Sequence, residues 1–152
     1  MPNRLRFSLA VLAIATGAIV GRADAPKGRY DTATQERAVI DTHTGLVWER
    51  DGDASADSPA AAARRCGALE LGPLDSGWRL PTRAELLSIV DASTFNPAID
   101  DSAFTRTKSD WYWSSTTPAD RDDTAWIVNF ADGSADYDRF DAMPPYAVRC
   151  VR

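Results

Sequence analysis

The chain of 152 residues contains only one histidine and two cysteines. This scarcity limits the metal sites and the catalytic mechanisms that the protein can form. Zinc sites are built largely from His and Cys ligands, and no such residue is spare here. The sole histidine, His43, stands in a polar turn, where a turn role is favoured over that of base in a Ser-His-Asp triad. Neither Cys66 nor Cys150 has a neighbouring His to activate its thiol. We therefore expect no catalytic residue and no metal ligand.

Long apolar runs are also scarce, and the one that is present stands at the start of the chain. Arg4 and Arg6 form a positively charged region, and Phe7 to Val20 is almost unbroken in its apolar character. The run is shorter than the roughly 20 residues that span a bilayer. A charged start, a short apolar run and small residues after it are typical of a signal peptide. An uncleaved membrane anchor is the alternative.

The end of this segment offers two cleavage sites. Ala23-Asp24-Ala25 has the familiar A-x-A pattern, but Pro26 would follow the cut. Cleavage after Ala23 leaves Asp24 as the new N-terminus and is the preferred reading. We therefore predict a signal peptide over residues 1–23 and one domain over residues 24–152, exported to the periplasm, the cell surface or the medium. No cysteine stands at the junction, which argues against a lipoprotein.

The exported part is acidic. The whole chain has 17 Lys and Arg against 22 Asp and Glu. Removing Arg4, Arg6 and Arg22 with the signal leaves 14 basic against 22 acidic residues, a net charge of −8. This charge opposes binding to nucleic acid and to anionic membrane surfaces. We expect neither as a partner, and no membrane span after signal cleavage.

Two cysteines in an exported chain suggest one disulfide bond. The loop between Cys66 and Cys150 covers most of the domain. In the chain-entropy model, closing a loop of this length stabilises the fold by about 4–5 kcal/mol. Two free thiols are the alternative, and they are disfavoured outside the cytoplasm.

The pattern of apolar runs and turn residues predicts an α+β fold. Gly45 and the Asp132-Gly133 pair mark the turns of two hairpins. Ser58 and Pro59 begin one helix, and the capping box from Thr82 to Glu85 begins another. Short strands and irregular segments account for the rest of the fold: Arg50–Ser58 as a loop, Trp78–Leu80 as a strand, Asp91–Asp110 as an irregular stretch tethered by Phe95, Ile99 and Phe104, Trp111–Ser115 as a strand, Pro118–Asp123 as a loop and Tyr146–Val151 as the last strand.

The five tryptophans all lie in the predicted domain, each inside a short strand-like run. Tryptophan removes a large apolar surface from water when it is buried, so we expect core packing rather than a binding platform. These positions are Trp48, Trp78, Trp111, Trp113 and Trp126.

Six motifs in order carry a family resemblance that spans almost the whole domain. They are Gly28–Tyr30, Val39–Asp41 with Thr44–Trp48, Cys66, Trp78–Thr82 with Glu85-Leu86, Tyr112–Thr116 and Val148–Val151. This set resembles the Lcl C-terminal domain family of bacterial secreted domains of unknown function. The resemblance implies a C-type lectin-like fold, related to the formylglycine-generating enzyme fold, in which a disulfide ties the first helix to the last strand. It implies binding more than catalysis, and one member is associated with adhesion through sulfated glycans.

Several site chemistries can be weighed against this resemblance. A formylglycine-generating enzyme needs a reactive cysteine pair, but Cys66 and Cys150 match the structural bridge. Calcium-dependent lectins have a Glu-Pro-Asn type loop and a Trp-Asn-Asp type strand, and both are missing. Three acidic clusters leave Ca²⁺ as an alternative without assigned ligands, and no other cofactor is expected. These clusters are Asp51, Asp53 and Asp57 with Ser55; Asp120, Asp122 and Asp123; and Asp132, Asp136 and Asp138.

Basic residues are few and scattered. Arg79 and Arg149 stand in core-like motifs, where ion pairs or hydrogen bonds to the backbone are expected. The remaining groupings give only weak support for binding a sulfated polymer: Arg64-Arg65, Arg83 and Arg106-Thr107-Lys108.

Together these features predict a secreted, non-catalytic binding or adhesion domain whose partner is a glycan or a surface protein. Loops on a rigid scaffold usually carry function, so the ligand is expected at Asp91–Asp110 together with Pro118–Asp123. The alternatives are an accessory hydrolase that uses a carboxylate pair and a structural component of the cell envelope.

Overall fold

The computed structural model describes residues 28–141 and 145–152. The predicted signal peptide, residues 1–23, lies outside the described residues. The chain folds into two sheets and two helices, as the α+β prediction requires. In chain order the elements are β1 Tyr30–Asp31, β2 Ala38–Asp41, β3 Val47–Glu49, β4 Ser55–Ala56, α1 Pro59–Gly67, α2 Arg83–Ser88, β5 Trp111–Trp113, β6 Thr124–Asn129, β7 Ala135–Arg139 and β8 Tyr146–Ala147.

The first sheet is antiparallel and has the order β1-β2-β3. The predicted hairpin between β2 and β3 is confirmed, and Gly45 has a φ of 76° in its turn. The last residues of the chain extend this sheet, because Val47 and Arg152 exchange two backbone hydrogen bonds. Val151 in turn bridges Arg79, so the predicted strand over Trp78–Leu80 is reduced to one bridge.

The second sheet has five strands in the order β4-β8-β5-β6-β7. β5 and β8 are parallel and the other neighbours are antiparallel. The predicted hairpin of β6 and β7 is confirmed, and Gly133 takes a φ of 81° in its turn. The two-residue strand β4 lies inside Arg50–Ser58, which had been expected to be a loop throughout.

Both helices begin where the sequence predicts. The hydroxyl of Ser58 accepts a hydrogen bond from the amide of Ala61, and Pro59 occupies the first turn of α1. In α2 the Thr82 side chain accepts from the amide of Glu85, and the Glu85 side chain accepts from the amide of Thr82. These bonds satisfy amides that have no partner within the helix.

The five-stranded sheet is covered on both faces. Trp113 and Ile127 face α1 in one core, whereas Tyr112 and Val128 face α2 and the first sheet in the other. Trp48, Trp78 and Trp113 are buried, as expected of core anchors. Trp111 is half-buried and packs against the first of these cores, whereas the expectation is wrong for Trp126, which is half-buried and stacks with Arg83 and Tyr137 instead.

The predicted disulfide bond joins Cys66 of α1 to Cys150 in the last segment. Beside it, the Glu49 carboxylate accepts from the guanidinium of Arg65 and from the amide of Cys150. The bridge therefore fixes α1 to the segment that follows β8, with a partly buried ion pair next to it.

Arg149, the residue before this cysteine, is completely buried. It donates to the carbonyl oxygens of Glu49 and Arg50 and to the hydroxyl of Thr107, at 2.6–2.7 Å. Within the described part of the chain it forms no ion pair. Burial lowers the pKa of this guanidinium. The buried charge is thus held by backbone dipoles, which confirms the structural role predicted for Arg149.

Candidate functional site

The segment that follows α2 forms a cleft of about 400 Å³. This volume lies in the range of small-molecule sites. The lining falls within the Asp91–Asp110 stretch that the sequence singled out. The residues that line the cleft are Asp91, Ser93, Thr94, Phe95, Asn96, Pro97, Ile99, Asp100 and Asp101.

Backbone hydrogen bonds hold the cleft loop in place. The amide of Asp91 donates to the carbonyl of Ala98, which closes the loop on itself. The amides of Asn96 and Ala98 donate to the carbonyls of Ala131 and Phe130, beyond the end of β6. The loop is therefore attached to a strand of the central sheet at two points, and its cleft is preformed.

Phe95 does not tether the loop to the core as the sequence analysis expected, although Ile99 and Phe104 do. Ile99 and Phe104 are buried, but 77% of Phe95 is exposed. The amide of the next residue, Asn96, donates to the carbonyl of Ala131. This bond fixes the backbone in a position from which the Phe95 ring points outward. An exposed aromatic ring at the rim of a cleft is a common feature of ligand sites.

The polar groups of the cleft are mainly hydrogen-bond acceptors. Oδ1 of Asp91 accepts from the amide and hydroxyl of Ser93 at 2.8 and 2.6 Å. Oδ1 of Asp100 accepts from the hydroxyl of Ser102 at 2.5 Å. Asp101 lies exposed at the rim. Among the described residues no Lys or Arg side chain lines this cleft, so its chemistry suits ligands rich in hydroxyl or other donor groups.

Tyr30, which does not line the cleft, packs against Phe104 near the cleft carboxylates Asp91 and Asp100. Its ring meets Phe104 edge to face at 4.8 Å. The pKa of the Tyr30 hydroxyl is raised to about 12, chiefly by burial; Arg29 acts in the opposite direction, and the carboxylates of Asp41, Asp100 and Asp91 contribute to the rise. The hydroxyl therefore stays protonated at neutral pH.

The two loops that the sequence analysis joined into one ligand region lie apart. The cleft loop is bonded to Phe130 and Ala131, which follow β6, whereas Pro118–Asp123 precedes β6. A strand of this length separates its ends by about 17 Å. The cleft therefore involves only the first of these loops, and ligand contact at Pro118–Asp123 stays a prediction.

The acidic clusters have partners within the fold. Arg106 pairs with Asp51 and Asp53, and Thr105 donates to Asp51. Asp123 pairs with Arg139. In residues 28–141 and 145–152 no group of three His, Cys, Asp or Glu side chains is arranged to hold a metal ion. His43 is exposed in the first hairpin turn, where the sequence placed it.

The basic residues are likewise scattered, and five of those that the structure describes form ion pairs: Arg29, Arg65, Arg79, Arg106 and Arg139. Arg79 forms a two-bond ion pair with Glu85, as expected for its motif. That hydrogen bonding lowers the pKa of Glu85 to about 2, although burial acts in the opposite direction. Arg65 is held by Glu49 and Arg106 by two aspartates, so the predicted basic groupings do not merge into one patch.

In the described part of the chain no helix is long and apolar enough to cross a membrane. A comparison with curated proteins finds no match. The family model of the Lcl C-terminal domain matches residues 37–152. This match covers both sheets apart from β1, both helices and the cleft, and the chain therefore belongs to the Lcl C-terminal domain family.

Proposed function

We propose that this chain is an exported, non-catalytic binding domain of C-type lectin-like fold whose cleft holds a glycan. The observation that carries the proposal is the preformed cleft of about 400 Å³ with Phe95 exposed at its rim. The disulfide bond between the first helix and the last segment supports both the lectin-like fold and export, because such bonds persist in oxidising compartments.

The side chains of the cleft match the demands of a sugar ring. A sugar presents hydroxyl donors around its edge and apolar C–H groups on its face. Carboxylates such as Asp100 and Asp101 accept from hydroxyls, and an exposed ring such as Phe95 can cover the C–H face. Since three carboxylates line the cleft, a neutral or amino-bearing sugar fits it better than a sulfated one.

The test is a glycan array with the exported protein, run with calcium and again with a chelator. We expect binding that weakens in the Phe95→Ala variant. A ligand that covers roughly 50–80 Å² of this ring gains about 1–2 kcal/mol, so the loss is about 5- to 30-fold in Kd. Phe140→Ala is the matched control, because Phe140 is also a partly exposed phenylalanine but follows β7 near Asp123.

Three outcomes would count against the proposal. One is an array without hits, and another is an equal loss of binding in the Phe95→Ala and Phe140→Ala variants. The third is chemical change of a bound glycan, detected by mass spectrometry after incubation, which would favour the accessory hydrolase. In that case substitution of one cleft aspartate would abolish turnover.

A further inference from the structure

A second surface, formed by residues that do not line the cleft, lies on the outer part of the five-stranded sheet. Here Arg83 of α2, Trp126 of β6, Tyr137 of β7 and Arg121 follow one another, and we call them the stacked row. Arg83 Cζ lies 3.9 Å from the Trp126 ring centre, the Trp126 and Tyr137 rings are 5.6 Å apart, and Arg121 Cζ lies 4.7 Å from the Tyr137 ring centre. Trp126 and Tyr137 are directly opposite in the β6–β7 register, which places them on the same face.

The two arginines of this row differ from five others among the described residues, which are held by carboxylates. Arg29, Arg65 and Arg79 each form ion pairs with a carboxylate. Neither Arg83 nor Arg121 forms one with any residue that the structure describes. On a chain with more acidic than basic residues, the row thus carries one guanidinium group at each end, and neither forms an ion pair with a described carboxylate.

The stacking prepares these groups for an anionic partner. A guanidinium that lies over a ring uses its flat face for that contact and keeps its N–H edge for hydrogen bonds. Nε of Arg83 is buried without a hydrogen-bond partner. Stacking on Trp126 therefore holds this side chain in place but gives its Nε–H group no acceptor. A carboxylate matches such an edge with two parallel hydrogen bonds.

The shape of the row favours a polypeptide over a sugar polymer. Sugar rings bind to open aromatic faces, but Arg83 and Arg121 lie over the rings of Trp126 and Tyr137. Trp, Tyr and Arg are also the residues that dominate binding energy at protein interfaces. Charge complementarity with the two arginines requires anionic groups on the partner, and in a polypeptide these are the carboxylates of Asp and Glu.

Binding at this surface has to occur through side chains. β7 is the outer strand of its sheet, and the amides of Ser134, Asp136, Asp138 and Phe140 are on the side of β6, as the bonds at Asn129 and Asp123 show. The outward amides of Tyr137 and Arg139 donate instead to the side chains of the preceding aspartates, at 2.8 and 2.7 Å. These bonds compete with the addition of a further strand.

We propose that the stacked row, with Arg83 and Arg121 over Trp126 and Tyr137, docks an acidic polypeptide segment of a partner protein. The test uses the protein recovered from an exporting host and a fluorescein-labelled peptide of eight glutamates, with binding followed by fluorescence anisotropy. Heparin serves as the sulfated polymer, and a Gly-Ser peptide of the same length serves as the neutral one.

We expect the glutamate peptide to bind and the Gly-Ser peptide to remain free. Arg121→Gln, an exposed position, should weaken binding at least 3-fold, and Arg83→Gln with Arg121→Gln at least 10-fold. Arg121→Lys keeps the charge but not the two-bond geometry and should lose nearly as much as Arg121→Gln. Arg64→Gln is the matched control, because Arg64 is exposed, has no ion pair with the described residues and lies on α1; its Kd should change less than 2-fold.

Three results would overturn the proposal. The first is that the glutamate peptide fails to bind, or binds equally well to the double variant. The second is that Arg64→Gln weakens peptide binding as much as Arg121→Gln does, which would indicate general attraction of charge. The third is that heparin binds through Arg83 and Arg121 whereas the glutamate peptide does not, which would assign the row to a sulfated polymer. Circular dichroism melts of each variant ensure that Arg83→Gln, in the first turn of α2, is compared only when folded.

Discussion

The close approach of Gly52 to Arg149 gives the sharpest prediction for the fold. A Cβ atom added at Gly52 would overlap Nη2 of Arg149, lie 2.9 Å from its Cζ and 3.1 Å from the Tyr112 hydroxyl oxygen. The guanidinium cannot move away freely, because the carbonyls of Glu49 and Arg50 and the hydroxyl of Thr107 fix it. Gly52→Ala should therefore force a shift in the most constrained part of the core.

The size of this effect follows from three opposing contributions. Overpacking of a core costs about 1–3 kcal/mol, and the loss of a hydrogen bond to a buried charge costs about 1.5–3 kcal/mol. Alanine lowers the entropy of the unfolded chain, which stabilises the folded state by about 0.4–1 kcal/mol. We expect the free energy of unfolding to fall by about 2–5 kcal/mol and Tm by about 6–15 °C. Urea denaturation under oxidising conditions, followed by tryptophan fluorescence, measures it.

Two controls tell a clash with Arg149 from a general effect of alanine. Gly67, at the end of α1, has nothing within 4 Å of an added Cβ, so Gly67→Ala should be neutral or stabilising by up to about 1 kcal/mol. In an Arg149→Met background Gly52→Ala should cost much less, because the two positions share one contact. The reasoning is refuted if Gly52→Ala behaves like Gly67→Ala, or if its cost is the same with and without Arg149.

Three further predictions concern the bridge, a surface ion pair and the cleft. Cys66→Ala opens a loop of 84 residues and should lower the free energy of unfolding by about 4–5 kcal/mol; native wild-type protein should show no thiol to a thiol reagent, and two reactive thiols would contradict this. The Arg79–Glu85 bond lowers the pKa of Glu85 from 4.5 to about 2, so its stabilisation is complete above pH 4.5 and is lost as the pH falls towards 2; acid titrations of Tm should show a smaller decline in Glu85→Gln than in wild type, and equal declines would be contrary to expectation. Phe95→Ala should change the free energy of unfolding by less than about 0.5 kcal/mol, whereas Phe104→Ala should lower it by about 3–5 kcal/mol, because the first ring is 77% exposed and the second fully buried; similar values for both would show that Phe95 is packed.

The parts of the fold that the sequence predicts are those determined by local chemistry. The two turns need Gly45 and Gly133 in a left-handed conformation, and Ser58 and Thr82 satisfy amides within their own helices. These signals lie within a few residues of the structure that they produce. The hairpins and helix starts were therefore predicted correctly.

The two-residue strands depend instead on partners far along the chain. β1 pairs with β2, and β4 pairs with β8, which lies about 90 residues later at Tyr146–Ala147. Their own sequences have no strand pattern, because two residues are too few to show a period of two. The backbone of Arg79 likewise forms a single bridge, with Val151, so Trp78–Leu80 does not continue as a strand.

The candidate site was located in part. The cleft lies in the predicted stretch, but Phe95 was assigned to the core because an apolar residue is more often buried than exposed. Its outward position depends on the bond between Asn96 and Ala131, which no local pattern reveals. The stacked row was missed for a similar reason, although the hairpin register set by Gly133 would have placed Trp126 opposite Tyr137.

The pairing of Val151 with both Trp48 and Arg79 has a consequence for the timing of folding. The segment from Ala147 to Val151 follows all the other elements along the chain, yet it joins β3, β4, β5 and α1. During synthesis these contacts can form only after the earlier elements have been made. A nascent chain that lacks this segment therefore has neither its completed first sheet nor β8 as the neighbour of β5. Such delayed closure leaves the fold open until this segment is in place, and the disulfide bond between Cys66 and Cys150 can form only then.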